Sequence, residues 1–137
     1  MTRKILCAID DSEPGRIALL TAAGLARETG ADLEIAMVNA ILAGSRGPAV
    51  ALYEDEDVDW FVARAAALAK AKGAKKVSST VLRGSDIAGA LVRHADKTGA
   101  DHIVTGTRRK GALARLLTGS VAADVVSLAH CPVTVAH

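Results

Sequence analysis

One segment of the sequence, residues 106–120, combines glycines and cations in a pattern that can hold an anion. It starts at Gly106, directly after an apolar run, and reaches Gly119 and Ser120 where a helical pattern begins. Glycines let backbone N–H groups approach a ligand closely, and a helix N-terminus adds unpaired donors and the positive end of the helix dipole. The segment therefore predicts a phosphate-binding loop. Its cations are equally consistent with a solvated basic loop: Arg108, Arg109, Lys110 and Arg115.

A second candidate lies where the first apolar run ends, at Asp10, Asp11 and Ser12. A carboxylate in this place can accept hydrogen bonds from the hydroxyls of a ribose. Ser12 and Asp10 also have ordinary structural explanations. Ser12 is a good N-cap for the helix that follows, and Asp10 can simply shape a turn. For Asp10 the functional and the structural interpretation carry equal weight.

The elements that position these residues follow from apolar periodicity and from glycine placement. Short runs rich in Val and Ile predict five strands, and helical patterns lie between them. Gly30, Gly73 and Gly99 each fall just past a predicted helix, where a left-handed residue ends it. Residues 39–57 are predicted to be a loop without chemistry, whose acidic residues cap the next helix. The predicted strands span residues 4–9, 33–38, 77–82, 102–105 and 132–136, and the helices 14–29, 59–72, 85–98 and 120–129.

Strict alternation of strands and helices predicts an α/β fold with a doubly wound, five-stranded parallel sheet and helices on both faces. Two strand orders are common for such chains, 3-2-1-4-5 and 2-1-3-4-5, and ligands bind at the carboxyl ends of strands where the winding reverses. In the first order, strands 1 and 4 are neighbours at that point. Asp10 and Gly106 would then line one crevice.

The composition limits the class of protein. With 137 residues, half of them apolar, the chain is predicted to form a single domain over residues 1–137. A net charge of +2 and an aromatic content of 2% argue against nucleic-acid binding, which depends on basic surfaces and stacking rings. No segment resembles a signal peptide or a membrane span. Cys7 and Cys131 lack CxxC spacing, so we expect two small buried hydrophobic residues in a reducing, cytoplasmic setting.

The sequence offers no catalytic constellation. The four histidines have no metal-ligand spacing and are expected to be structural: His94, His102, His130 and His137. No Ser or Cys is visibly paired with a base. The segment after the first strand lacks the GxGxxG pattern of dinucleotide-binding enzymes. The last strand lacks the lysine that phosphate-accepting receiver domains need.

Several short motifs together resemble the universal stress protein family over nearly the whole chain. They are Asp-x-Ser at residues 10–12, Gly-Ala-Asp at 99–101, Gly-Ser-Val at 119–121 and Cys-Pro-Val at 131–133. The resemblance implies the strand order 3-2-1-4-5 of the adenine nucleotide alpha hydrolase-like fold. It also implies an ATP site, with Mg or Mn accompanying the phosphates, in the crevice between strands 1 and 4.

The same resemblance assigns roles to individual residues. It implies that Asp10 meets the ribose and that the backbone of Val38 meets adenine. Ribose and phosphates would be met by Gly106, Gly119, Ser120 and Val121. A homodimer joined through the last strand, residues 132–136, is also implied. No metal ligand is assigned to the protein itself.

One position departs from the family pattern. Nucleotide-binding members share Gly, two residues, Gly, nine residues, and then Gly-Ser or Gly-Thr, and here Arg109 replaces the second glycine. Arginine adds bulk, but it also adds a charge-assisted donor that can hold a phosphate. The main hypothesis is an adenine-nucleotide-binding stress-response protein that signals through nucleotide occupancy, with slow ATP hydrolysis as its greatest enzymatic activity. The alternative is a family member that binds no nucleotide and acts as a dimeric protein-interaction module.

Overall fold

The computed structural model of the chain describes residues 2–42, 47–107 and 121–137. Strands and helices alternate through these ranges, except that a short additional strand follows the second strand directly. The strands are β1 (Lys4–Ile9), β2 (Asp32–Leu42), β3 (Val50–Ala51), β4 (Val77–Gly84), β5 (His102–Gly106) and β6 (Val133–Ala136). The helices are α1 (Glu13–Thr29), α2 (Asp55–Ala71), α3 (Ile87–Thr98) and α4 (Val121–Leu128).

The strands form one mixed sheet in which β1 is central. Its neighbours are β2 and β5, both parallel to it, while β4 pairs in parallel with β2 and β6 with β5. The α/β prediction is therefore confirmed, and the five predicted strands lie in the order 3-2-1-4-5, which is β4-β2-β1-β5-β6. The prediction of a purely parallel five-stranded sheet was wrong in one detail. A sixth strand, β3, pairs antiparallel with the end of β2.

The prediction of a loop over residues 39–57 was wrong in part, because residues 39–42, 50–51 and 55–57 belong to strands or a helix. The strand β2 continues to Leu42, β3 follows, and α2 begins at Asp55 instead of residue 59. The apolar run that ends at Leu42 sustains the longer strand, and Leu52 N donates to Ala40 O at 2.7 Å. The expectation for the acidic residues is met in part, because Asp55, Glu56 and Asp57 occupy the first turn of α2, where negative charge favours the helix dipole.

Helices cover both faces of the sheet. On one face, α1 and α2 pack over Ile5, Cys7 and Ile35, and on the other, α3 and α4 pack over Leu6, Ala36 and Ile103. The alternation of these side chains along β1 is what a strand covered on both sides requires. Gly30 and Gly99 end α1 and α3 in the left-handed conformation, with φ of 73° and 75°. None of the described helices is long and apolar enough to cross a bilayer.

Candidate functional site

The turn between β1 and α1 is organised around Asp10. Its Oδ1 accepts a hydrogen bond from Ser12 N at 3.0 Å and another from Ser12 Oγ. Ser12 is the N-cap of α1, as predicted, and its Oγ accepts from Gly15 N at 3.3 Å. Asp10 therefore has the structural role considered from the sequence, because its carboxylate shapes the turn. A carboxylate has about four acceptor sites, so this role is compatible with a second one toward a ligand.

The strand register places two of the predicted site residues beside each other. Ile9 of β1 pairs with Met37 of β2, so the next level of the sheet holds Asp10 and Val38. Neighbouring strands lie about 4.8 Å apart, so the backbones of the two residues are close. The side chain of Val38 itself is buried and packs into the core under α3 and α4. Only its backbone is then suited to a ligand, as the resemblance implies.

Gly106 brings the end of β5 to the same place. It is the last residue of β5 and pairs with Ala136 of β6. The β1–β5 register, in which Cys7 pairs with Val104, puts Gly106 level with Ile9. A Cβ added to Gly106 would lie 2.3 Å from Pro14 O and 2.6 Å from Pro14 C, in the first turn of α1. Gly106 is thus required by the close packing of β5 against α1, whatever the ligand.

The remaining predicted residues lie around the segment between β5 and α4. Val121 is the first residue of α4 and packs, half-buried, against the core under α3 and α4. Arg109, Gly119 and Ser120 lie outside the described residues. The structure therefore brings together Asp10, Val38 and Gly106, and it places Val121 at the start of the helix that follows β5.

A groove of about 510 Å³ opens from the β1–α1 turn between α1 and α2. Its apolar wall includes Leu19, Phe61 and Leu68, and its rim carries Asp11 and Arg16. The Arg16 guanidinium lies 3.6 Å from Glu13 Oε1, and the Arg64 guanidinium stacks 4.7 Å from the centre of the Trp60 ring. The turn at Asp10 therefore lines a groove on the α1 and α2 side of the sheet.

Of the two cysteines predicted to be buried, Cys7 lies in the core, whereas Cys131 is only half-buried. Cys7 is fully buried in β1, and burial raises the pKa of its thiol to about 12. Burial, followed by Asp96 and Asp101, also raises the pKa of Cys131. Within the described ranges no group of three or more His, Cys, Asp or Glu side chains could hold a metal ion.

Three histidines each join two neighbouring parts of the fold. His94 Nε2 lies 2.9 Å from Glu34 Oε1 and joins α3 to β2, and His102 Nε2 lies 2.7 Å from Thr134 Oγ1 and joins β5 to β6. His130 Nδ1 lies 3.0 Å from Asp96 Oδ2.

Two residues that position this edge of the sheet escaped the sequence reasoning. Asn39 is fully buried, donates from Nδ2 to Tyr53 O at 2.8 Å and accepts at Oδ1 from Tyr53 N at 2.9 Å, which holds the β3–α2 connection against β2. A polar residue within a continuing apolar run was its signal. Gly15 is the second, because a Cβ there would lie 2.6 Å from Asp10 Oδ1. Nothing in the sequence distinguishes Gly15 from a helical glycine at a position where other residues would also fit.

Comparisons with known proteins agree on one family. The sequence model of the universal stress protein family matches residues 1–137. The chain is 30% identical over 146 residues to the universal stress protein YxiE of Bacillus subtilis, covering 98% of this chain and 99% of that protein. It is 47% identical to a universal stress protein of Methanocaldococcus jannaschii over 60 residues, 44% of this chain and 35% of that relative.

Solved structures share the whole fold. A universal stress protein in complex with cAMP superposes with a TM-score of 0.79 at 26% identity, over 99% of this chain and 97% of the other. A universal stress protein from Archaeoglobus fulgidus in complex with dAMP superposes with a TM-score of 0.71, also at 26% identity, over 98% of both chains. Both ligands are adenine nucleotides.

Proposed function

Because this chain belongs to the universal stress protein family, we propose that it binds an adenine nucleotide, with ATP as the expected ligand, in the crevice between β1 and β5. Strand 4 of the sequence-based numbering is β5. We further propose that nucleotide occupancy is the signal by which the protein takes part in a stress response. Related structures with bound cAMP and dAMP support the ligand class.

The observation that carries the proposal is the meeting of three strand ends at one edge. Asp10 and Val38 share a level of the sheet, and Gly106 of β5 touches the first turn of α1. This is the point where the winding reverses, with α1 on one face and α4 on the other. A ribose at Asp10 and an adenine at the Val38 backbone would then leave the phosphates directed toward the segment between β5 and α4.

The chemistry of these residues fits a nucleotide. A carboxylate accepts hydrogen bonds from ribose hydroxyls, and a backbone N–H and C=O pair at a strand end can recognise the edge of adenine. The phosphates would be held by Val121, the first residue of α4, and by Gly119 and Ser120, which precede it in the sequence, because the dipole at a helix N-terminus favours anions. Bound Mg or Mn would neutralise phosphate charge, and the phosphates themselves supply its ligands.

Calorimetric titration with ATP and magnesium tests the proposal. We expect binding by the wild-type protein, and a loss of about tenfold in affinity for Asp10→Ala, because a hydrogen bond to a charged group is removed. Gly119→Val should also weaken binding by adding bulk beside the phosphates. The absence of binding at millimolar ATP by a folded protein would contradict the proposal and support the dimeric interaction module instead.

Arg109 gives a sharper prediction because it replaces a glycine of the family pattern. If its side chain restricts the phosphate loop, Arg109→Gly should tighten ATP binding, measured by the same titration. Arg109→Ala is the matched control, because it removes the guanidinium without restoring glycine's conformational freedom. Unchanged or weaker binding by Arg109→Gly would show instead that the guanidinium holds a phosphate or lies away from it.

We also propose a homodimer joined through β6. Among the described strands it pairs with β5 alone and ends the sheet order, so its other edge can accept a second strand. Sedimentation should give a dimer for the wild type. Val135→Pro removes a backbone donor and should shift the protein toward the monomer, whereas a wild-type monomer at every concentration would overturn the proposal.

A further inference from the structure

The first turn of α1 is packed unusually tightly against Asp10. A Cβ added to Gly15 would lie 2.6 Å from Asp10 Oδ1, 2.8 Å from Asp10 O and 2.9 Å from Asp10 N. Two of these atoms belong to the backbone, so a larger residue cannot be accommodated by a side-chain rotation alone. Gly15 has a negative φ, so its requirement for glycine is steric and not conformational.

We propose that Gly15 is a positioning residue for Asp10 and that it thereby sets the selectivity of the nucleotide site for ribose hydroxyls. This inference rests on the proposed function, because it assigns the ribose to Asp10. Its physical basis is independent of any ligand. The carboxylate lies where it does because α1 begins without a side chain at the position facing it.

The neighbouring contacts complete the arrangement. Ser12 holds Asp10 Oδ1 through its backbone N–H at 3.0 Å and its hydroxyl, and the same hydroxyl accepts from Gly15 N at 3.3 Å. From the other side, Pro14 fills the space above Gly106 of β5. The turn is therefore fixed between β1 and β5. A residue larger than glycine at position 15 would have to move the carboxylate, the turn or the start of α1.

The loss of affinity caused by a larger residue at position 15 should be specific to nucleotides that carry ribose hydroxyls. Displacement of Asp10 removes a hydrogen bond to the sugar but leaves the contacts to base and phosphates. A merely structural role of Gly15 would weaken all nucleotides alike. ATP and its analogue without both hydroxyls, 2′,3′-dideoxy-ATP, distinguish the two cases whichever of the two hydroxyls is bound.

The experiment is a set of calorimetric titrations with ATP and 2′,3′-dideoxy-ATP. We expect the wild type to bind ATP about tenfold more tightly than the dideoxy analogue, the effect of one charge-assisted hydrogen bond. In Gly15→Ala this ratio should fall to about one, while the affinity for the analogue changes by less than about threefold. Gly24→Ala in the same helix is the matched control, because no described atom lies within 4 Å of its added Cβ. It should keep the wild-type ratio.

Ser12→Ala gives a second variant if Gly15→Ala does not fold. It removes the hydroxyl bond to Asp10 but keeps the backbone bond, so the ratio should fall only in part. The inference would be overturned if both variants kept the wild-type ratio of the two affinities, or if the affinities for ATP and its analogue fell equally. If the wild type binds neither nucleotide, the proposed function fails. A crystal structure of Gly15→Ala then decides the steric part, with an unmoved Asp10 carboxylate counting against it.

Discussion

At the two ends of β1, aspartate carboxylates accept hydrogen bonds from backbone N–H groups, but the donors differ in kind. At the first end, Asp101 accepts from Arg3 N at 2.9 Å and from Lys4 N at 3.2 Å, nearly a hundred residues away in the chain. At the other, Asp10 accepts from Ser12, two residues further on. The first carboxylate joins β1 to the start of β5, and the second shapes the turn that follows β1.

The difference shows that an aspartate in a family motif can serve either the fold or a ligand. Asp101 belongs to the Gly-Ala-Asp motif before β5, and the backbone bonds explain it fully. Asp10 lies at the carboxyl end of the sheet, where the winding reverses and where ligands bind in such folds. Position relative to the sheet, rather than residue type, separates the structural aspartate from the candidate ligand contact.

The largest expected effect is at the end of β5. Gly106→Ala would place a Cβ 2.3 Å from Pro14 O, and overpacking against backbone should cost about 3 kcal/mol in the free energy of unfolding. Urea denaturation measures it. The control is Gly84→Ala, also at the end of a strand, where the nearest atom would be 3.8 Å away. Equal stability of the two variants would show that β5 and α1 are not in such close contact.

The next effect tests the two aspartates directly. Asp101→Ala removes charge-assisted bonds between β1 and β5 and should cost about 2 kcal/mol, with ATP affinity unchanged. Asp10→Ala should instead lower ATP affinity, because it removes the expected contact to the ribose. Urea denaturation and calorimetry on both variants separate the roles. A loss of ATP affinity in Asp101→Ala would remove the distinction between the two ends.

The smallest effect concerns the middle of β1. Burial raises the pKa of Cys7 from 9.0 to about 12, so the folded protein keeps a proton that the unfolded chain releases. Stability should therefore be unaffected below about pH 9 and fall as the pH rises toward 12, by about 1.4 kcal/mol at pH 10. The measurement is urea denaturation at pH 8 and pH 10. Cys7→Ala lacks the thiol and should show a correspondingly smaller decrease, and an identical decrease would assign the effect to other groups.

Much of the fold could be predicted because local patterns specify it. Apolar periodicity located α1 and the five main strands, and glycines marked the ends of α1 and α3. The failure at residues 39–57 has a tertiary cause, because β3 and the early start of α2 depend on the buried side chain of Asn39 and its bonds to Tyr53. The polar Asn39 stands out within the apolar run, but the sequence does not show that its partner is the backbone of Tyr53, fourteen residues further on.

For the candidate site, the sequence by itself determined the residue types and their order: a carboxylate after the first strand, a glycine after the fourth, and a helix start beyond it. Tertiary structure decided which of them meet. Pairing of β1 with both β2 and β5 brings Asp10 beside Val38 and close to Gly106. It also separated Gly15 from Gly24 within α1, because neighbouring atoms occupy the space of a side chain at Gly15 and leave it open at Gly24.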